Sequence, residues 1–328
     1  MDRYICIHGH FYQPPRENPW LEEIELQDSA YPYHDWNERI SAECYAPNGA
    51  ARQLDAANRI QNIVNNYAKI SFNFGPTLLS WMERHDAEAY QAIREADRLS
   101  QENFSGHGSA IAQVYNHTIM PLANRRDKYT QAHWGIKDFQ KRFGRFPEGL
   151  WLPETAVDLE TLEVLAELGM KFTILAPRQA SRIKKTMQGS RWHEVGDGRI
   201  DPTRVYLCVL PSGKTINLFF YDGPISQELA FAGLLKNGET FAQRLNSVFD
   251  DSRDWPQLVH IATDGETYGH HHRHGDMALA YCLHFMASNN LARITNYGEY
   301  LEKHPPTCLV EIFEESVGGP ERLYRGHS

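Results

Sequence analysis

Two carboxylic acids stand out for where they sit. Glu154 closes the run Trp151-Leu152-Pro153-Glu154, and Asp264 opens Asp264-Gly265-Glu266 directly after an apolar run. Two carboxyls facing one cleft suffice to cleave an acetal, one moving a proton and the other attacking as a nucleophile. That chemistry needs no metal and no cofactor. Histidine is the second reactive type, with 16 in the chain, among them His8-Gly9-His10, His107, His117 and the run His270-His271-His272 followed by His274. His-x-His at a strand end also suits a hydrolase that deacetylates sugars with histidines and an aspartate around a divalent metal. Aromatic residues (Tyr12, Trp20, Trp36, Trp134, Trp151, Tyr221 and Tyr268) lie near the same points, and flat rings beside polar groups match the faces and edges of sugars. Trp134, on the stripe side of a helix, is read as core.

The elements that must position these residues follow from hydrophobic period. Short runs rich in β-branched and aromatic residues predict strands at Tyr4 to His8, Ile70 to Phe74, Ala110 to Tyr115, Gly149 to Leu152, Phe172 to Ala176, Ile216 to Tyr221 and Leu258 to Ala262. Spacings of three and four predict helical stripes at Ala57, Ile60, Val64 and Tyr67, at Ala132, Ile136, Phe139 and Phe143, and at Phe241, Leu245 and Val248. Repeated strand-helix alternation with continuous apolar strands argues for a parallel (β/α) barrel. A doubly wound sheet fits the alternation too, but no glycine-rich phosphate loop follows the first strand. In a barrel the strand ends His8-Gly9-His10, Trp151 to Glu154, Asp222-Gly223 and Asp264 to Glu266 share one face, where such folds carry their sites. Alone, each is as readily a turn or a cap; together they indicate a site.

Residues 9–49, rich in proline and aromatics, are expected to form an ordered loop over the barrel mouth. Residues 182–217 are expected to insert a β-hairpin turning at Pro211-Ser212-Gly213-Lys214. The barrel domain is taken as 1–312 and the remainder, 313–328, as an irregular tail.

Composition narrows the partners. The net charge of -9 offers no basic field for a phosphate backbone, so nucleic acid is not expected. No apolar run approaches a membrane span, and Met1-Asp2-Arg3 leads straight into a strand, so the expectation is a cytoplasmic protein with no membrane partner. The five cysteines are scattered in apolar runs and read as buried thiols.

Trp151-Leu152-Pro153-Glu154, preceded by Arg142-Phe143-Gly144-Arg145-Phe146-Pro147 and combined with Asp264-Gly265-Glu266-Thr267-Tyr268-Gly269, resembles glycoside hydrolase family 57. The resemblance implies a distorted seven-stranded (β/α)7 barrel, retaining chemistry and α-glucan substrates, with hydrolysing, transferring and branching members. It makes Glu154 the nucleophile and Asp264 the acid/base. His8 and His10 with Gln13-Pro14 resemble the first family motif, His117 in Tyr115 to Leu122 the second motif's histidine, and Asp222 in Phe219 to Ser226 an aspartate near the donor sugar. Trp151, Glu266, Tyr268 and His271 are further expected substrate contacts. Three functions stay open: an α-glucan hydrolase or transglycosylase, a metal-dependent deacetylase, and a glucan-binding protein without turnover.

Overall fold

The computed structural model describes residues 2–55 and 57–316. Packing divides the chain into two compact units, Met1–Ala110 with Pro224–Tyr300, and Ile111–Gly223 with Leu301–Ser328. Both are α/β. All seven expected strands are present: β1 (Arg3–Phe11), β2 (Ser71–Phe74), β3 (Ala112–Gln113), β4 (Leu150–Trp151), β5 (Phe172–Leu175), β6 (Thr215–Phe220) and β7 (Gln257–Asp264). β1, β2 and β5 are buried on both faces, which explains the apolar runs of β1 and β5, whereas β2 alternates Ser71 and Asn73 with Phe72 and Phe74.

In the first unit β1 is central. It pairs in parallel with β7 from Arg3 to His10 and with β2 from His8 to Phe11, while Arg293–Ile294 pair with Tyr4 and Ile5. Phe72 extends the order through a parallel bridge to Ala110. One aromatic cluster locks the unit: Phe11 stacks on Phe74 with centroids 4.5 Å apart, and Tyr45 and Tyr67 meet Phe11 edge-on.

Two expectations change here. The stripe at Ala57, Ile60, Val64 and Tyr67 is not a helix; Ala51–Leu54 and Ile60–Val64 form an antiparallel hairpin. Asp55 decides this, because its carboxylate accepts from the Ala57 and Arg59 N–H groups and closes a turn before a helix can start. The second half of 9–49 is helical rather than loop. Asp35 caps Trp36–Ile40 by accepting from the Asn37 and Glu38 N–H groups, and a π-helical turn, Ser41–Tyr45, leads into Ala46–Gly49.

In the second unit β3 pairs in parallel with β4, Gly149 bridges to Phe172 of β5, and β5 pairs in parallel with β6. The turn at Pro211 to Lys214 forms where expected, with Leu210 N–H donating to the Lys214 carbonyl. Its arms are Val205–Val209 and β6 itself, so the hairpin includes a principal strand and is not a separate insertion. These arms belong to a six-stranded mixed sheet with His193–Glu194, Ala180–Lys185, Cys308–Ile312 and β5. The tail expected from residue 313 falls mostly on Val317–Ser328, outside the described residues; Glu315–Ser316 pair with Val157–Asp158.

The stripe Ala132, Ile136 and Phe139 is the buried face of the helix Arg125–Phe143. Trp134 is half exposed, against its expected place in the core, and sets its ring edge-on to Tyr115. All five cysteines are free and buried. No helix among the described residues is long and apolar enough to cross a membrane.

Gly135 lets that helix sit on β3, since a Cβ there would lie 1.9 Å from the Gln113 carbonyl oxygen. Alanine in a helix interior ordinarily gains roughly 0.5–1 kcal/mol over glycine. Overpacking against backbone loses about 1–3 kcal/mol or more, so crowding wins. Gly135→Ala is therefore expected to lower the unfolding free energy by a net of about 1–2 kcal/mol, read as a lower urea midpoint; a stabilised variant would show that the helix does not need this approach.

Candidate active site

Period 2 along parallel, in-register strands puts His8 and His10 of β1 on the same face as Ser71 and Asn73 of β2, because His8 pairs with Ser71 and His10 with Asn73. The four side chains form one polar row. His8 Nδ1 lies 3.0 Å from Ser71 Oγ and Nε2 lies 3.0 Å from Asn73 Oδ1, while Asn73 Nδ2 lies 2.8 Å from His10 Nδ1. Burial pushes the His8 pKa down to about 3, so the ring is neutral. His10 stacks on Tyr12 with the rings nearly parallel, 6.0 Å between centroids. Both ring nitrogens of the wholly buried His8 thus face a hydroxyl and an amide.

The end of β7 supplies the candidate acids expected in this unit. Asp264 ends the strand with an exposed side chain in a recessed setting; withdrawal from water raises its pKa above the ordinary carboxylate range, opposed by His271. His271 is itself exposed and displaced downward, first by desolvation and then by His270, with Asp264 acting the other way. Glu266 is buried, and desolvation lifts its pKa to about 7 against the hydrogen bonds it accepts. Its Oε1 takes the Tyr45 hydroxyl at 2.5 Å and the Tyr12 N–H at 3.2 Å. Gln13 lies close by, also buried, with Oε1 accepting from Arg16 Nη2 at 2.7 Å, and Arg16 Nε donates to Asn37. Tyr268, expected to offer a ring to substrate, is wholly buried, accepts from the Thr263 hydroxyl at 3.2 Å, and belongs to the core.

The second unit holds the remaining candidates. Glu154 sits in the turn Pro153–Thr155 after β4 with its side chain exposed. Its backbone is left-handed, φ 55, and so is that of Thr155, φ 52. Each left-handed non-glycine residue costs roughly 1–2 kcal/mol, so the fold must hold this turn in place. Gln179 does so: Nε2 donates to the Thr155 carbonyl at 2.8 Å and Oε1 accepts from the Ala176 N–H at 2.7 Å, which ties the turn to the end of β5. Trp151 is buried within β4, and Asp222 is nearly buried just after β6. His117 is also left-handed, φ 56, and burial lowers its pKa to about 4, which keeps the ring neutral.

Asn73, Ser71, Tyr45, Arg16 and Gln179 were not among the expected site residues. Ser71 and Asn73 did leave a signal, polar residues alternating within the apolar strand Ser71-Phe72-Asn73-Phe74. Tyr45 left none, because its partner Glu266 is remote in sequence; Arg16 and Gln179 have local partners in Gln13 and Ala176, but their second partners, Asn37 and Thr155, are not local. Among the described residues no three His, Cys, Asp or Glu side chains gather as a metal site.

The Glu266 environment makes a measurable statement. Its folded pKa lies above its unfolded one, so its contribution to stability is full below about pH 4.5 and is lost as pH rises through about 7. The loss is on the order of 3 kcal/mol. Glu266→Gln stays neutral and keeps an oxygen for the Tyr45 hydroxyl, so its urea midpoint is expected to gain on that of the native chain between about pH 5 and pH 8. Parallel pH dependence of the two proteins would contradict this.

The sequence profile of glycosyl hydrolase family 57 matches residues 5–312. Alpha-amylase 1 of Dictyoglomus thermophilum is 24% identical over 106 residues, covering 32% of this chain and 15% of that protein. The 4-alpha-glucanotransferase of Thermococcus litoralis is 20% identical over 250 residues, covering 74% of this chain and 34% of the enzyme. The chain thus spans about a third or less of the length of these two relatives. Among solved structures, a GH57-type branching enzyme from Pyrococcus horikoshii shares the fold with a TM-score of 0.69 at 14% identity, over 96% of this chain and 73% of that one. The profile match runs from β1 through β7 and takes in both Glu154 and Asp264, and the chain belongs to glycosyl hydrolase family 57.

Proposed function

We propose that this chain is a retaining glycoside hydrolase or transglycosylase acting on α-glucans, built on a distorted (β/α)7 barrel with Glu154 as nucleophile and Asp264 as acid/base. The supporting observation is the contrast between the two carboxyls in a family 57 chain: one presented on a clamped left-handed turn, the other with its pKa raised by desolvation. An acid catalyst must hold its proton near neutrality, and a nucleophile must not. The amylase and 4-alpha-glucanotransferase relatives supply the substrate class by name.

In the first step the Glu154 carboxylate bonds to the anomeric carbon while the glycosidic C–O bond breaks, and the leaving oxygen takes the Asp264 proton. In the second, Asp264 removes a proton from water or from a sugar hydroxyl, whose oxygen displaces Glu154. Hydrolysis and transfer differ only in that attacking group. His10, Gln13, His117, Trp151, Asp222, Glu266 and His271 are proposed to line or support the sugar site. The mechanism requires the two carboxyls to stand about 5–5.5 Å apart, whereas inversion needs roughly 6.5–9.5 Å.

Incubation with maltooligosaccharides, with and without a chelator, tests the reading. Chain lengths are expected to change whether or not chelator is present, with the product anomer matching the substrate. Acetate release abolished by chelator would instead identify a deacetylase, and binding without product a glucan-binding protein.

Asp264→Asn is expected to lower kcat on glucans by roughly 10²- to 10⁴-fold while sparing the first step on substrates with good leaving groups; Glu154→Gln is expected to lose both. Activity falls at high pH as Asp264 loses its proton at a pKa above the ordinary aspartate value. Mass spectrometry of a trapped glycosyl-enzyme checks the assignment, and a sugar on any residue but Glu154 would overturn it.

A further inference from the structure

We propose that Asn73 is a positioning residue that fixes the tautomer of His10, so that the neutral ring carries its proton on Nε2. The Asn73 amide stands between two imidazoles, with Oδ1 3.0 Å from His8 Nε2 and Nδ2 2.8 Å from His10 Nδ1. An amide oxygen only accepts and an amide nitrogen only donates. His8 Nε2 must therefore hold a hydrogen, and His10 Nδ1 must offer a lone pair. Ser71 completes the row, since His8 Nδ1, 3.0 Å from its Oγ, is left to accept the hydroxyl proton. Ser71, His8, Asn73 and His10 thus form a chain of donors running in one direction, and the last donor is His10 Nε2–H.

Burial makes the chain rigid. Ser71, His8 and Asn73 are within 1% of full burial, so water is not available to take over any of these bonds. Strand pairing fixes the spacing as well, because His8 and His10 lie directly opposite Ser71 and Asn73 in the parallel register. Turning the Asn73 amide over would reverse every donor and put the His10 proton on Nδ1. The direction of one amide therefore decides whether His10 donates or accepts at Nε2. On the proposed function, on which this last consequence rests, His10 offers a hydrogen to a sugar oxygen and does not accept one from a hydroxyl.

Histidine-labelled protein without substrate gives the direct test, by two-bond ¹H–¹⁵N correlation, with His10 assigned from the His10→Gln spectrum. The expected result is an unprotonated Nδ1 and a protonated Nε2 in the native chain, and averaging of the two tautomers in Asn73→Ala. Asn73→Asp, whose carboxylate can only accept, is expected to move the His10 proton to Nδ1; should it fail to fold, the native and alanine spectra still decide. A native His10 with Nδ1 protonated, or an unchanged tautomer in Asn73→Ala, overturns the inference. Loss of one aligned hydrogen bond is also expected to lower kcat on maltooligosaccharides in Asn73→Ala by about tenfold. Native protein with the predicted tautomer but no turnover would count against the proposed function alone, and turnover with the reversed tautomer against this inference alone.

Discussion

A polar atom taken out of water beside β1 must find its partner inside the protein, because leaving it unmatched costs about 1–3 kcal/mol. That requirement organises the first unit. His8 is wholly buried, so β2 must supply Ser71 and Asn73 at the positions opposite β1. Glu266 is buried too, and its carboxyl draws in the Tyr45 hydroxyl and the Tyr12 N–H. Tyr45 in turn belongs to the π-helical turn Ser41–Tyr45, whose Cys44 carbonyl accepts from Asn48 Nδ2 at 2.9 Å. The same nitrogen donates to the Tyr268 carbonyl at 3.0 Å, and Asn48 Oδ1 accepts from Asn66. These buried groups thereby join the segment before the hairpin to the turn after β7.

Sterics add a second constraint at the same place. A Cβ on Gly265 would lie 2.2 Å from the Phe11 ring, and one on Gly269 would lie 2.5 Å from the Glu43 carbonyl oxygen. The Asp264-Gly265-Glu266 turn can press onto the aromatic cluster only because its middle residue has no side chain. Asp264 then stays exposed while Glu266, two residues on, is turned into the protein. Exposure and burial separate the two carboxyls chemically: Glu266 reaches a pKa of about 7, and Asp264 is raised by a smaller loss of water.

The principal strands were legible because burial on both faces demands continuous apolar sequence, a signal that needs no knowledge of neighbours. Strand ends were legible for the converse reason: Glu154, Asp222 and Asp264 are charged residues placed just after such runs. Helical period misled at Ala57 to Tyr67, where the Asp55 turn outweighed apolar spacing, and at Trp134, where a stripe residue faces outward. Supporting residues were the hardest to read. Gln179 and Tyr45 are polar or aromatic residues in ordinary local sequence, and their roles arise from contacts with Thr155 and Glu266 that lie far away along the chain. The full burial of His8 and Tyr268 was equally hidden, since nearness to a strand end does not say which way a side chain turns.

The Glu154 turn shows how far such support extends. A single left-handed residue can be a by-product of chain reversal, but Glu154 and Thr155 in succession oppose the preference of L-residues twice, by roughly 2–4 kcal/mol in all. Two short-range bonds, Thr155 N–H to the Leu152 carbonyl and Ala156 N–H to the Pro153 carbonyl, close successive tight turns around these residues, the second with both central residues left-handed. The Gln179 clamp is different: it is wholly buried, and both ends of its amide bond to backbone, at Thr155 and Ala176. Truncating it would strand two buried backbone groups, a loss comparable to the strain it restrains. The turn is therefore held by β5 against its own preference, and the side chain that this geometry lifts out of the surrounding buried segment is the Glu154 carboxyl.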